Sequence, residues 1–154
     1  MDFEKGAMKA FQAKFPDAEI KGCLFHLSQN VYKHVQSLGL QERYAQDAQF
    51  CLKVKHLTAL GFVPTGDVFD GFELLADGNF LADAGGLLDY FEEYYIGRKR
   101  PTGERRVSLF PPRVWNVHER ALRALPRTNN DAEGYGTGVS AQLSLATIQQ
   151  YGNF

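Results

Sequence analysis

Glu19-Ile20-Lys21-Gly22-Cys23-Leu24-Phe25-His26 is the stretch whose reading decides the fold. A short β-branched and apolar piece runs into Gly22, and Cys23 and His26 then open a helix-like run. The pattern predicts a short strand around Glu19 to Cys23. Downstream, Leu27, Val31, Val35 and Leu38 recur at helical spacing, with Gly39 as the stop. Upstream, Phe3, Ala7, Met8, Phe11 and Phe15 recur at intervals of three and four, and Pro16 ends that run. The strand is thus set between helices, and the chain reads as mostly α.

Residues 47 to 97 extend the helical pattern. Phe50, Val54 and Leu57 form one stripe, and Val68, Phe72 and Leu75 a second. Leu87, Leu88, Phe91, Tyr94 and Tyr95 form a third, and Gly or Pro signals separate the runs. These aromatics read as core material, and His34 and His56 as surface or packing histidines. Further on, Val114, Val117, Ala121 and Leu125 predict one amphipathic helix that carries Trp115 as a core anchor and exposes Arg120 and Arg123.

The chain has 154 residues and 44% hydrophobic composition, enough for one domain with a real core. Its formal net charge of −1 offers no global attraction for nucleic acid, so any such contact must come from a local patch. Arg98-Lys99-Arg100-Pro101-Thr102-Gly103-Glu104-Arg105-Arg106 is the sharpest local feature. With Pro101 and Gly103 inside it, the run cannot be a regular helix face. It reads as a solvated loop, as a nuclear-import signal, or as flexible cations for phosphates together with Arg113. Two cysteines fit a reducing compartment, and no run approaches the length of a membrane span. The expectation is a soluble intracellular protein, or a piece of one.

Cys23 and His26 supply two metal-ligand side chains, whereas a structural zinc takes four. Cys51 and His56 would complete the set, but residues five apart on a helix point about 140° apart. No structural zinc is expected. Asp2 stands where an N-cap would stand, a role that stabilises a helix by about 1 kcal/mol. Asp131 and Glu133 follow Thr128-Asn129-Asn130, where capping chemistry alone accounts for acids in a first turn.

Taken together, these pieces resemble a known family. Asp2-Phe3-Glu4, the amphipathic run ending Phe15-Pro16-Asp17-Ala18, and Gly22-Cys23-x-x-His26 resemble the region around the second catalytic aspartate of Mutator-like (MULE) transposases. Leu125-Pro126-Arg127-Thr128-Asn129-Asn130-Asp131-Ala132-Glu133-Gly134-Tyr135 resembles the segment that carries their last catalytic glutamate. The resemblance implies that residues 1–135 are part of an RNase H-like (DDE) domain, with 47–125 as an all-helical insertion and the central sheet largely missing.

The resemblance also assigns Asp2 and Glu133 as catalytic, Mg²⁺- or Mn²⁺-binding carboxylates in the parent enzyme. Cys23, His26 and Asn130 would adjoin that site, and Asp2, the Cys23/His26 helix start and Glu133 would gather at one end of the fold. It further implies transposon-end DNA as partner, a nuclear location and self-association.

Two departures qualify this. No residue matches the family's first catalytic aspartate, so the chain is expected to be catalytically incomplete. The family's histidine after the aromatic is missing, and residues 136–154 form a divergent tail without charge, as in a truncated, alternatively spliced or frame-altered end. Two non-catalytic alternatives stand beside the fragment reading. One is a transposon-derived DNA- or protein-binding helical protein, and the other a helical interaction domain whose acids are caps.

Overall fold

Pro16 lacks the N–H that a further helical turn requires, and α1 (Lys5–Lys14) closes shortly before it. Gln12 Nε2 donates to the Pro16 carbonyl at 2.8 Å, covering an acceptor that the helix end leaves open. The computed structural model describes residues 5–18, 20–77 and 84–125. Within α1, Met8 packs against the core, whereas Phe11 and Phe15 remain substantially exposed with their rings 4.9 Å apart.

The strand expected at Glu19 to Cys23 does not form among the described residues 20–23. A strand needs a partner ladder, and here the chain finds one backbone bond, from the Gly22 N–H to the Val114 carbonyl at 2.7 Å. Lys21 Nζ donates to the adjacent Arg113 carbonyl at 3.0 Å. The segment is a tether, and the fold is mostly helical.

α2 (Leu24–Ser37) starts after Cys23, which has extended backbone and offers no side-chain cap. It buries Leu27, Val31 and Val35, the expected stripe. Leu38 lies beyond the helix and is 40% exposed. The exit is a Schellman arrangement. The Leu40 N–H bonds the Val35 carbonyl and the Gly39 N–H the Gln36 carbonyl, with Gly39 at φ +71°.

α3 (Gln41–Gln46) leads into α4 (Ala48–Ala59) through Asp47. The Asp47 carboxylate accepts from the Gln49 and Phe50 N–H groups at 2.9 and 3.0 Å and so starts α4. Phe50, Val54 and Leu57 then point into the core. A 3₁₀ turn at Leu60–Phe62 and another at Thr65–Asp67 deliver α5 (Val68–Asp77), which buries Val68 and Phe72. α6 (Gly85–Phe91) runs on as a π turn, Glu92–Ile96. Leu87, Phe91, Tyr95 and Ile96 are buried here, while Tyr94 is 40% exposed. One cluster joins these side chains to those of α2 and to Trp115, so α2 and the helices of 47–125 share a single core.

The helix expected to carry Val114 to Leu125 is two short ones, α7 (Pro112–Trp115) and α8 (His118–Leu122). The break sits at Asn116, whose backbone is extended and whose side chain bonds backbone on both sides. Its Oδ1 accepts the His118 N–H at 3.0 Å, and its Nδ2 donates to the Val63 carbonyl at 2.7 Å. Local amide-to-backbone bonds compete with helix continuation. Leu125 consequently stays 48% exposed, whereas Val117 is buried and Arg120 is half-buried.

Asn116 is itself only 7% exposed. Asn116→Ala strands the Val63 carbonyl and should cost about 2 kcal/mol, read as a lower urea midpoint at unchanged slope.

Candidate binding site at the basic hairpin

The run 98–106 is a tight hairpin. Lys99 and Arg105 form an antiparallel bridge, framed by Arg100 N–H to Glu104 O at 2.7 Å and Arg106 N–H to Arg98 O at 2.9 Å. The turn follows from its residues. Pro101 stands first in the turn closed by the Gly103 N–H and the Arg100 carbonyl, and Gly103 takes φ +87°. At the base, Gly97 has φ +98°, and a Cβ there would sit 1.8 Å from the Arg106 carbonyl oxygen. Glycine is what lets the two arms touch.

Helix acids hold most of the hairpin's cations. Arg98 pairs with Glu93, and Lys99 Nζ lies 2.8 Å from Glu73. Arg105, whose side chain is 12% exposed, pairs with Glu73 and with Glu92 at 2.7 Å. It also donates to the Gly97 carbonyl at 2.5 Å and lies 5.5 Å from the Phe72 ring centroid. Arg100 is 4.0 Å from Glu104 on the turn, a pair exposed enough to contribute little. Arg106 and Arg113 are exposed and have no carboxylate partner among the described residues.

The hydrogen bond from Lys99, with Arg105 beside it, holds the Glu73 carboxyl below its ordinary range. Because the folded value is depressed, Glu73 stabilises the fold fully above the usual glutamate range and loses that contribution as pH falls through its folded value. The urea midpoint should therefore fall from neutral to acid pH, and Glu73→Gln should flatten that fall. Arg105→Met removes the cation shared by Glu73 and Glu92, leaving Glu73 with Lys99 alone and Glu92 without its partner. With the carboxylates 31% and 23% exposed, solvent screens the loss and the cost should be about 2 kcal/mol.

Val107 and Ser108 line two clefts. The larger, about 700 Å³, is lined by Phe69, Glu73, Arg105, Arg106, Ser108, Pro111 and Arg113 among others. The smaller, about 380 Å³, is lined by Glu93, Tyr94, Val107, Ser108 and Leu109. Ser108 is 8% exposed, and its buried hydroxyl has no hydrogen-bond partner among the described residues.

The other sequence candidates lie elsewhere. Cys23 is buried beneath the start of α2, and His26 is half-buried one turn on with its ring against Phe25. The Cys51 thiol bonds the Tyr44 hydroxyl, which burial first and this bond second push up to about 12. Among the described residues no group of three or more His, Cys, Asp or Glu could hold a metal ion. Asp2, Asn130 and Glu133 lie outside the described residues, and with them the expected convergence on Cys23 and His26. His34 stacks on Tyr90 at 4.0 Å, a packing role.

Sequence reading missed Glu73, Glu92 and Glu93 as partners of the hairpin. The Glu92-Glu93 pair just ahead of the basic run was the available signal, but Glu73 and Ser108 gave none. None of the described helices is long and apolar enough to cross a membrane. Comparison with protein-family models, with curated proteins and with solved structures returns no match.

Proposed function

We propose that this chain is part of a Mutator-like transposase, a protein whose parent form cleaves and joins transposon-end DNA in the nucleus. The observation that carries the reading is the order of motifs around a helical body. Asp2-Phe3-Glu4 and Cys23-x-x-His26 precede it and Asn130-x-x-Glu133-Gly134-Tyr135 follows it, while the described residues between are helices on one core. That is what an all-helical insertion placed before the last catalytic acid requires.

In the parent, bound Mg²⁺ or Mn²⁺ would supply Lewis-acid activation of the attacking and leaving oxygens. Asp2 and Glu133 are the residues of this chain that would hold it. The described residues offer no metal-holding cluster of their own, and no residue stands for the family's first aspartate. The chain alone is therefore read as catalytically incomplete.

A second reading, a non-enzymatic DNA- or protein-binding protein of transposon origin, is favoured by the hairpin. Ion pairs to helix acids hold it at the surface, and Arg106 and Arg113, without a carboxylate partner among the described residues, keep their charges for a partner.

The test uses a labelled duplex bearing terminal inverted repeats, incubated with the full chain and Mg²⁺ or Mn²⁺. The expected result is neither nicking nor strand transfer. Metal-dependent nicking that disappears in Asp2→Ala and Glu133→Ala would overturn the incompleteness while supporting both carboxylate assignments.

A further inference from the structure

We propose that the outer edge of the hairpin, Arg105 to Leu109, is a docking strand for an extended acidic peptide. This inference stands apart from the transposase reading, because it uses only the geometry of the hairpin and its two clefts.

The bridge pattern sets which backbone groups are free. In an antiparallel pair, residues flanking the bonded ones turn their N–H and C=O groups away from the partner strand. Arg106 bonds inward to Arg98, and Arg105 and Val107 make no backbone hydrogen bond among the described residues. Their N–H and C=O groups therefore form an open edge, the template that an added strand pairs with. Val107 is 87% exposed, far out in water for a β-branched apolar residue. Leu109, two residues on, is 37% exposed. An added strand would cover both.

The two clefts give side chains of that strand somewhere to go. Both are lined by Val107 and Ser108, with volumes of about 700 and 380 Å³. Ser108 lines both, and its buried hydroxyl has no partner among the described residues. Such a group costs free energy unless an occupant satisfies it.

Charge selects the occupant. Of the cations on the larger cleft, Lys99 and Arg105 are held by Glu73, whereas Arg106 and Arg113 have no carboxylate partner among the described residues. Two free guanidiniums match carboxylates carried along a peptide. A phosphate backbone fits less well, because it has no alternating N–H and C=O groups to pair with the open edge.

The experiment is fluorescence anisotropy of the full chain with three labelled probes. These are a peptide alternating valine and glutamate, its valine–lysine counterpart, and a single-stranded oligothymidine. The glutamate peptide should bind at least about tenfold tighter than the lysine peptide. Arg106→Glu with Arg113→Glu should invert that preference. Val107→Pro removes the edge donor without removing an internal bond, and should weaken the glutamate peptide by about tenfold. If Val107→Pro loses its helical circular dichroism, Val107→Asp replaces it, placing a carboxylate on the edge against the glutamates.

Equal binding of the two peptides, or no binding of either, overturns the proposal. So does peptide binding indifferent to both the edge and the charge-reversal variants. Oligothymidine binding that depends on Arg106 and Arg113, without peptide binding, assigns the edge to nucleic acid instead. Dimerisation in sedimentation that Val107→Pro abolishes assigns it to a second copy of the chain.

Discussion

Gly97→Ala is expected to leave the chain largely unfolded, with a loss of more than about 4 kcal/mol. Gly97 sits at φ +98°, where L side chains are disfavoured, and this is the smaller part of the effect. A Cβ at this position would lie 1.8 Å from the Arg106 carbonyl oxygen, 3.0 Å from its carbon and 3.3 Å from the Ser108 nitrogen. The obstacle is backbone, so no rotamer change relieves it. Separating the strands would break the Arg106-to-Arg98 backbone bond and the Arg105 bond to the Gly97 carbonyl. It would also draw Arg105 away from Glu73 and Glu92. Gly103→Ala is the control, since it has φ +87° but open space around the site. It should cost about 1–2 kcal/mol from conformation alone. Urea unfolding followed by circular dichroism separates the two, and equal losses would mean that Gly97 is only a turn residue.

Trp115→Ala is expected to cost about 3–5 kcal/mol, the range for deleting a large buried aromatic. Trp115 is wholly buried and meets Phe91 edge-on at 5.8 Å and Tyr95 at 6.3 Å. Its Nε1 donates to the Phe110 carbonyl at 3.0 Å and the Tyr95 carbonyl at 3.3 Å. One side chain thus ties α7 to the end of the π turn and to the segment leaving the hairpin. Trp115→Phe keeps most of the packing and loses the donor, so it should cost about 1–2 kcal/mol, less than the alanine change because a ring is retained. A circular dichroism melt compares the variants, because the chain's one tryptophan is lost in both. Near-wild-type melting of Trp115→Ala would place the core elsewhere.

The helical body was legible because its signal is local. Leu27/Val31/Val35 and Phe50/Val54/Leu57 repeat at the period of the helix that buries them, and both stripes lie in the core. Where the deciding interaction is distant or belongs to one side chain, periodicity fails. Glu19 to Cys23 has strand-type residues, but among the described residues there is no strand for residues 20–23 to pair with. Val114 to Leu125 has helical spacing, but Asn116 diverts the chain with two backbone bonds that the spacing does not encode.

The hairpin is the clearest case. Composition marked it as basic and irregular, and the turn residues were visible, yet it is ion-paired to Glu73, 32 positions before Arg105. Of the candidate site residues, Lys99, Arg105, Arg106 and Arg113 line one cleft and Arg98 lines another beside Tyr90, whereas Cys23 and His26 lie at the start of α2. The carboxylates Asp2 and Glu133 remain assigned by resemblance.

The central claim is that the basic hairpin is ion-paired into the fold and leaves Arg106 and Arg113 for a partner. Salt dependence of duplex DNA binding by the full chain tests it most directly. Counterion release gives a log–log slope of about −0.9 per phosphate contact. Two available arginines predict weak binding with a slope no steeper than about −2, abolished by Arg106→Gln with Arg113→Gln. A slope near −5, about that of all six cations engaged on phosphates, would contradict the account.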